Sequence, residues 1–176
     1  MIIAKDLRRE AVNNWFGSLE PNLFVTHNFG VLVSPETGER SLKRFYNRLQ
    51  SQVHGRNWNK RETNLPMVAV GVWENLDSNP HCHVLVAASD DESSWLLREG
   101  NKEWLALQPR DQFVVSEIES LSKVISYITK KFYTQDSQDR LFIYKAPPSN
   151  SANSNSVEPT SNRIDLAAVH RHLLPE

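Results

Sequence analysis

The chain has 176 residues, enough for one domain with a genuine core, and its hydrophobic fraction of 39% leaves part of it outside that core. A net charge of −1 excludes a protein that coats nucleic acid with a uniformly basic surface, although it leaves room for a local basic edge. One cysteine, Cys82, excludes an internal disulfide and points to a reducing, cytoplasmic setting. The N-terminal run MIIAKDLRRE lacks the apolar core of a signal peptide, and no stretch reaches the length of a membrane helix, so no membrane partner is expected.

In chain order, residues 5–16 read as a short helix. Residues 22–33 (NLFVTHNFGVLV) read as a strand broken near Asn28 and Gly30. Residues 38–53 read as an amphipathic helix, with Leu42, Phe45, Tyr46, Leu49 and Val53 at helical spacing. Residues 66–74 and 81–88 are β-rich runs joined by the polar loop NLDSNP, which predicts an antiparallel hairpin. Residues 90–98 predict a short helix, 112–116 a strand, and 118–132 a helix. Beyond Lys145 the segment APPSNSANSNSVEPTSN has the Ser/Asn/Pro composition of a linker, followed by the apolar stretch RIDLAAVHRHLL. The expected organisation is an α+β domain over 1–145 built on a central antiparallel sheet with flanking helices. A linker over 146–162 and a short helix or tail over 163–176 follow it.

The chemistry concentrates in two places. In PHCHVLV, strand alternation turns His81 and His83 to one face and Cys82, Val84 and Val86 to the other. If the hairpin pairs Glu74 with either His81 or His83, the carboxylate joins the histidine face, whereas a one-residue slip removes it. Two imidazoles and a carboxylate suit a divalent ion, Mn or Mg in part and transition metals better. His-x-His on a strand is more often an ordinary pair of hydrogen-bonded side chains, and other metal proteins, cupin-like oxygenases among them, use it with a carboxylate. The motif therefore does not select a reaction.

The second place is SLSKVISYITKKF at 120–132. Leu121, Val124, Ile125, Ile128 and Phe132 form an apolar stripe that should pack on the sheet, with Tyr127 just outside it. Lys130, three residues on, is its helix neighbour, and Lys123 and Lys131 flank it. Alone, this is a core-flanking tyrosine among solvated lysines. Beside a metal, it is a candidate nucleophile. Phenol is protonated at neutral pH, and a nearby cation favours its ionised form and stabilises charge on a phosphate under attack.

In this order, LFVTHNF at 23–29, PHCHVLV at 80–86 and VISYITKK at 124–131 resemble the three motifs of the HUH endonuclease superfamily, particularly its rolling-circle replication initiator (Rep) proteins. The resemblance covers about 23–132. It implies a ferredoxin- or RRM-like sheet. It also implies metal-assisted nicking and joining of single-stranded DNA through a 5′-phosphotyrosine, initiating rolling-circle replication of a plasmid or phage. It assigns Glu74, His81 and His83 to the metal, Tyr127 to nucleophilic attack, Lys130 to assistance, and Thr26 and its neighbour Asn28 to the DNA. The departures are Cys82, where the family has a bulky aliphatic residue, and His27, which has no assigned role. No phosphate-binding glycine loop is present, so a helicase and other replication proteins would be separate partners.

Further DNA contacts are expected from KRFYNRLQSQVHGRNWNKRE, where Arg56, Trp58 and Lys60 interleave cations with an aromatic ring. The competing view is a solvated helix face and polar loop. Trp95 and Trp104 are expected to pack in the core or loops, and His54, His170 and His172 to lie at the surface. A relaxase, a single-strand transposase or a non-catalytic DNA-binding module on the same fold are the alternative functions.

Overall fold

A computed structural model describes residues 2–60, 67–109, 111–130 and 141–145, with 2–8 and 60 described through the backbone only. Four helices, α1 (Ile2–Ser18), α2 (Pro35–His54), α3 (Asp90–Leu107) and α4 (Leu121–Ile128), flank five strands. The strands are β1 (Leu23–Asn28), β2 (Val68–Glu74), β3 (His81–Ala87), β4 (Phe113–Glu117) and β5 (Leu141–Lys145). The sheet order is β4-β1-β3-β2-β5 and every pairing is antiparallel, which gives the expected α+β class.

The sheet is covered on both sides. One face, formed by Leu23, Val25, Trp73, Cys82, Val84, Val86 and Phe142, packs against Leu42, Phe45, Tyr46 and Leu49 of α2 and Trp95, Leu96 and Trp104 of α3. The other carries Val70, Val72 and Leu85 under Val12 and Phe16 of α1 and Ile125 and Ile128 of α4. The alternation along each strand decides which residue meets which helix pair.

Local chemistry sets the boundaries. The Ser34 hydroxyl accepts from the Thr37 N–H and Pro35 opens α2 at its first position. Ser89 and Glu92 cap α3 reciprocally. α3 is twice the length expected from 90–98. The helix runs on through Gly100, which admits Phe113: a Cβ there would stand 2.7 Å from the Phe113 ring. Residues beyond it, Trp104 foremost, extend the buried stripe, and both tryptophans of α3 lie in the core.

The hairpin adopts one of the two expected registers, with Glu74 opposite His81. Gly71 permits the close β2–β3 approach, since a Cβ would lie 2.8 Å from Cys82 Sγ and 2.9 Å from the His83 carbonyl. One strand is added to those expected: β5 pairs with β2, placing Phe142 and Tyr144 in the core against α2. The segment 146–162, the tail 163–176, Phe132, His170 and His172 lie outside the described residues. None of the described helices is long and apolar enough to cross a membrane.

Candidate metal centre and tyrosine edge

Glu74 ends β2 and His81 begins β3, so the two face one another where the hairpin opens. His83 sits one pleat further in on the same face. Their ligand atoms all lie within 4.8 Å of one another, and Glu74 Oε2 is 3.7 Å from His81 Nε2. The cluster can hold a metal ion. Cys82 faces the opposite core, where burial pushes its thiol well above its usual range, so it takes no part in the cluster.

Hydrogen bonds aim the rings. His81 Nδ1–H donates to the Asn79 carbonyl at 2.9 Å, which turns Nε2 toward Glu74. His83 Nδ1 lies 3.0 Å from Thr26 Oγ1, the residue opposite it on β1. With Nδ1–H donating to that hydroxyl, His83 Nε2 is bare, and among the described residues this buried atom has no hydrogen-bond partner. A buried acceptor without a partner is costly unless something binds it. Both rings therefore show the arrangement typical of metal-bound histidine, one nitrogen anchored and the other free to coordinate.

Burial above all, then the neighbouring His81 and Lys130, lowers His83 to about 4 against the opposing pull of Glu74. It is neutral at physiological pH, the form that ligates a metal.

Tyr127 stands over this cluster. Its stripe-mates Ile125 and Ile128 are buried on the sheet, while Tyr127 itself is 46% exposed at the helix edge, as its phase predicts. Its ring lies 5.2 Å from that of His83 and edge-on to Phe24 at 6.2 Å. Lys130 Nζ caps the Tyr127 ring at 3.7 Å from its centroid and reaches Glu74 Oε1 at 3.5 Å. The lysine thus connects the tyrosine to the carboxylate. Thr129 fastens the end of α4, its hydroxyl donating to the Ile125 carbonyl at 2.7 Å and lying 3.3 Å from Oδ1 of Asn13 in α1.

The structure thus brings together Glu74, His81, His83, Tyr127, Lys130 and Thr26. Asn28 lies opposite His81 at the end of β1, and Lys123 is exposed on α4 one turn before Tyr127. Arg56 and Trp58 are not brought to the cluster. They follow the C-terminus of α2, which packs on the opposite sheet face, and α2 ends beside the start of α3. Lys131 and the side chain of Lys60 lie outside the described residues. His54 is not a simple surface residue: its Nε2 sits 3.0 Å from the buried carboxylate of Glu92. His27, left without a role by the sequence, is fully buried on the α2–α3 side, bonded through Nε2 to the Tyr46 hydroxyl at 3.1 Å. Sequence alone does not point to Asn79, because it orients His81 through a backbone carbonyl that every residue carries. Comparison of the chain with protein-family models, curated proteins and solved structures finds no match.

Proposed function

We propose that this chain cuts and rejoins single-stranded DNA, with Tyr127 as the nucleophile, in the manner of the HUH endonucleases its motifs resemble. The observation that carries the reading is the placement of a half-exposed tyrosine 5.2 Å, ring to ring, from a buried histidine whose free nitrogen belongs to a metal-competent cluster. Nothing in a purely structural role for α4 requires Tyr127, Lys130, Glu74 and His83 to converge.

Glu74, His81 and His83 would hold a divalent ion, Mn or a transition metal by donor set, and when bound it would polarise a phosphodiester oxygen. The Tyr127 oxygen gives up its proton to water and attacks the phosphorus, the bond to the 3′-oxygen breaks, and that oxygen leaves as a 3′-hydroxyl after taking a proton from water. The downstream strand stays on Tyr127 through its 5′-phosphate. Attack by a 3′-hydroxyl on this ester reverses the step and seals a strand. Lys130, already on the Tyr127 ring, offsets negative charge on the phosphoryl oxygens in the transition state. Thr26 and Asn79 keep the two imidazoles aimed. Among the described residues one tyrosine lies at the cluster, which suits a protein that nicks once and later joins and favours initiation of rolling-circle replication over DNA transfer or transposition by the same chemistry.

The test is incubation of the full chain with a pool of end-labelled single-stranded oligonucleotides and Mn²⁺, followed by denaturing electrophoresis. A 3′-label should migrate with the protein and a 5′-label on a shortened free strand. Absence of any adduct under Mn²⁺, Mg²⁺ and Co²⁺ would refute the reading.

A further inference from the structure

Lys130 stands between two partners. Its Nζ lies 3.7 Å from the centroid of the Tyr127 ring and 3.5 Å from Glu74 Oε1. Its backbone N–H donates to the Tyr127 carbonyl at 3.3 Å, so the side chain leaves the end of α4 from a fixed point. That side chain keeps 39% of its surface exposed, whereas the Glu74 side chain keeps 4%. The ammonium is therefore at the rim and the carboxylate beneath it. A buried carboxylate is costly unless it is paired, and the lysine is one of its partners.

The same carboxylate belongs to the group that can hold a metal ion. Its Oε2 turns to His81 Nε2 at 3.7 Å and its Oε1 to the ammonium. The two oxygens share one negative charge. A divalent ion held by Glu74, His81 and His83 would draw on that charge together with the ammonium, while the two positive charges repel one another beside a buried group. The two cations thus compete for Glu74. The lysine can yield without leaving the site, because the face of Tyr127, on which it already rests, attracts a cation by itself. Lysine suits such an exchange, being a point charge on a flexible stem rather than a fixed fork.

We propose that Lys130 is the cation of Glu74 in the metal-free protein, and that loading of a divalent ion releases it to the Tyr127 ring, beside the nucleophile and ready to pair with the phosphate of the strand. The inference rests on the reading of the chain as a metal-assisted nicking enzyme. No covalent bond changes; one ion pair is exchanged for another. An ion on Glu74 frees the ammonium for a phosphate, and a phosphate that takes the ammonium removes a competitor of the ion. Metal and strand therefore strengthen each other's binding by the same factor, through this one side chain.

The test titrates Mn²⁺ into the full chain and counts the free ion by electron paramagnetic resonance, first without DNA. Lys130→Met, which keeps the stem and removes the charge, should bind Mn²⁺ roughly tenfold more tightly than the unaltered chain. Lys130→Arg, which keeps the charge, should stay near the unaltered value. Unchanged binding in Lys130→Met overturns the exchange, and so does weaker binding, which would make the lysine a support that holds the carboxylate for the ion. The titrations are then repeated in the Tyr127→Phe background, which lacks the nucleophile, with a mixed-sequence single-stranded oligonucleotide at saturation. The strand should tighten Mn²⁺ binding at least about fivefold more where Lys130 is kept than in Lys130→Met. An equal effect overturns the hand-over to the phosphate. Zn²⁺ gives a reading that needs no substitution: its addition to the unaltered chain should move the Lys130 side-chain signals in nuclear magnetic resonance. Unmoved signals overturn the proposal even where a variant folds poorly. Tighter Mn²⁺ binding by Lys130→Met, in a protein that attaches to no strand, would sustain the exchange and sink the nicking reading alone.

Discussion

His27 and His83 lie on neighbouring strands one residue out of step, and so face opposite sides of one sheet. Their rings look alike in isolation. Each has one nitrogen against a hydroxyl, of Tyr46 or Thr26, and one buried nitrogen without a partner among the described residues. Burial holds both neutral, to about 3 for His27 and about 4 for His83. The surroundings separate them. His27 is enclosed by Phe45, Tyr46, Trp104 and Phe113, with centroids 4.4 to 5.7 Å away. His83 looks onto a second imidazole, a carboxylate and a tyrosine at an open edge. A perturbed histidine is therefore not enough to mark a site: convergence of other donors, with access from solvent, is what distinguishes the two faces.

The sharpest way to break the comparison is to remove the groups unique to the open face. Tyr127→Phe should lower strand cleavage by at least about 10³-fold, since the nucleophile is lost, while Mn²⁺ binding measured by calorimetry stays within about twofold. Unchanged cleavage would mean the tyrosine is only packing. His83→Ala should weaken Mn²⁺ binding by more than roughly 100-fold, beyond what loss of an outer-shell partner costs, whereas His27→Phe should leave it unchanged. Equal effects of the two substitutions would erase the distinction drawn here.

Much of this contrast is legible in the sequence because strand alternation is rigid: once His81, Cys82 and His83 are placed on one strand, their faces follow. Glu74 was recoverable for the same reason, up to the choice between two registers that put it on the same face. The helical stripe likewise fixed Tyr127 at an edge. The rest depended on contacts between distant segments. The length of α3 turns on Gly100 fitting under Phe113, which no local pattern reveals. The placement of Arg56 and Trp58 away from the cluster follows from which sheet face α2 covers. Asp111 has nothing in its neighbourhood to announce a buried carboxylate, and β5 owes its place to pairing with β2.

A finer test concerns aim rather than ligation. Thr26→Val keeps the shape but removes the acceptor for His83 Nδ1–H, and should weaken Mn²⁺ binding roughly 10- to 100-fold. The smallest effect belongs to the closed face. His27 titrates lower in the folded chain than its ordinary 6.5, so below that pH the unfolded chain takes up a proton that the folded chain refuses. Stability should therefore fall as pH drops through 6.5 toward 3, by up to about 1.4 kcal/mol per pH unit from this residue, and show no such slope above 6.5. Urea titrations of the metal-free protein across that range should show a shallower slope for His27→Phe. An identical slope would place the acid sensitivity elsewhere.

The most direct measurement of the central claim is to digest the protein–DNA adduct with nuclease and protease and locate the attached nucleotide by mass spectrometry, with and without a chelator. The account predicts a nucleotide joined through its 5′-phosphate to Tyr127, formed with Mn²⁺ and absent when the metal is removed. A nucleotide on any other residue, or an adduct that forms equally in the chelator, would contradict it.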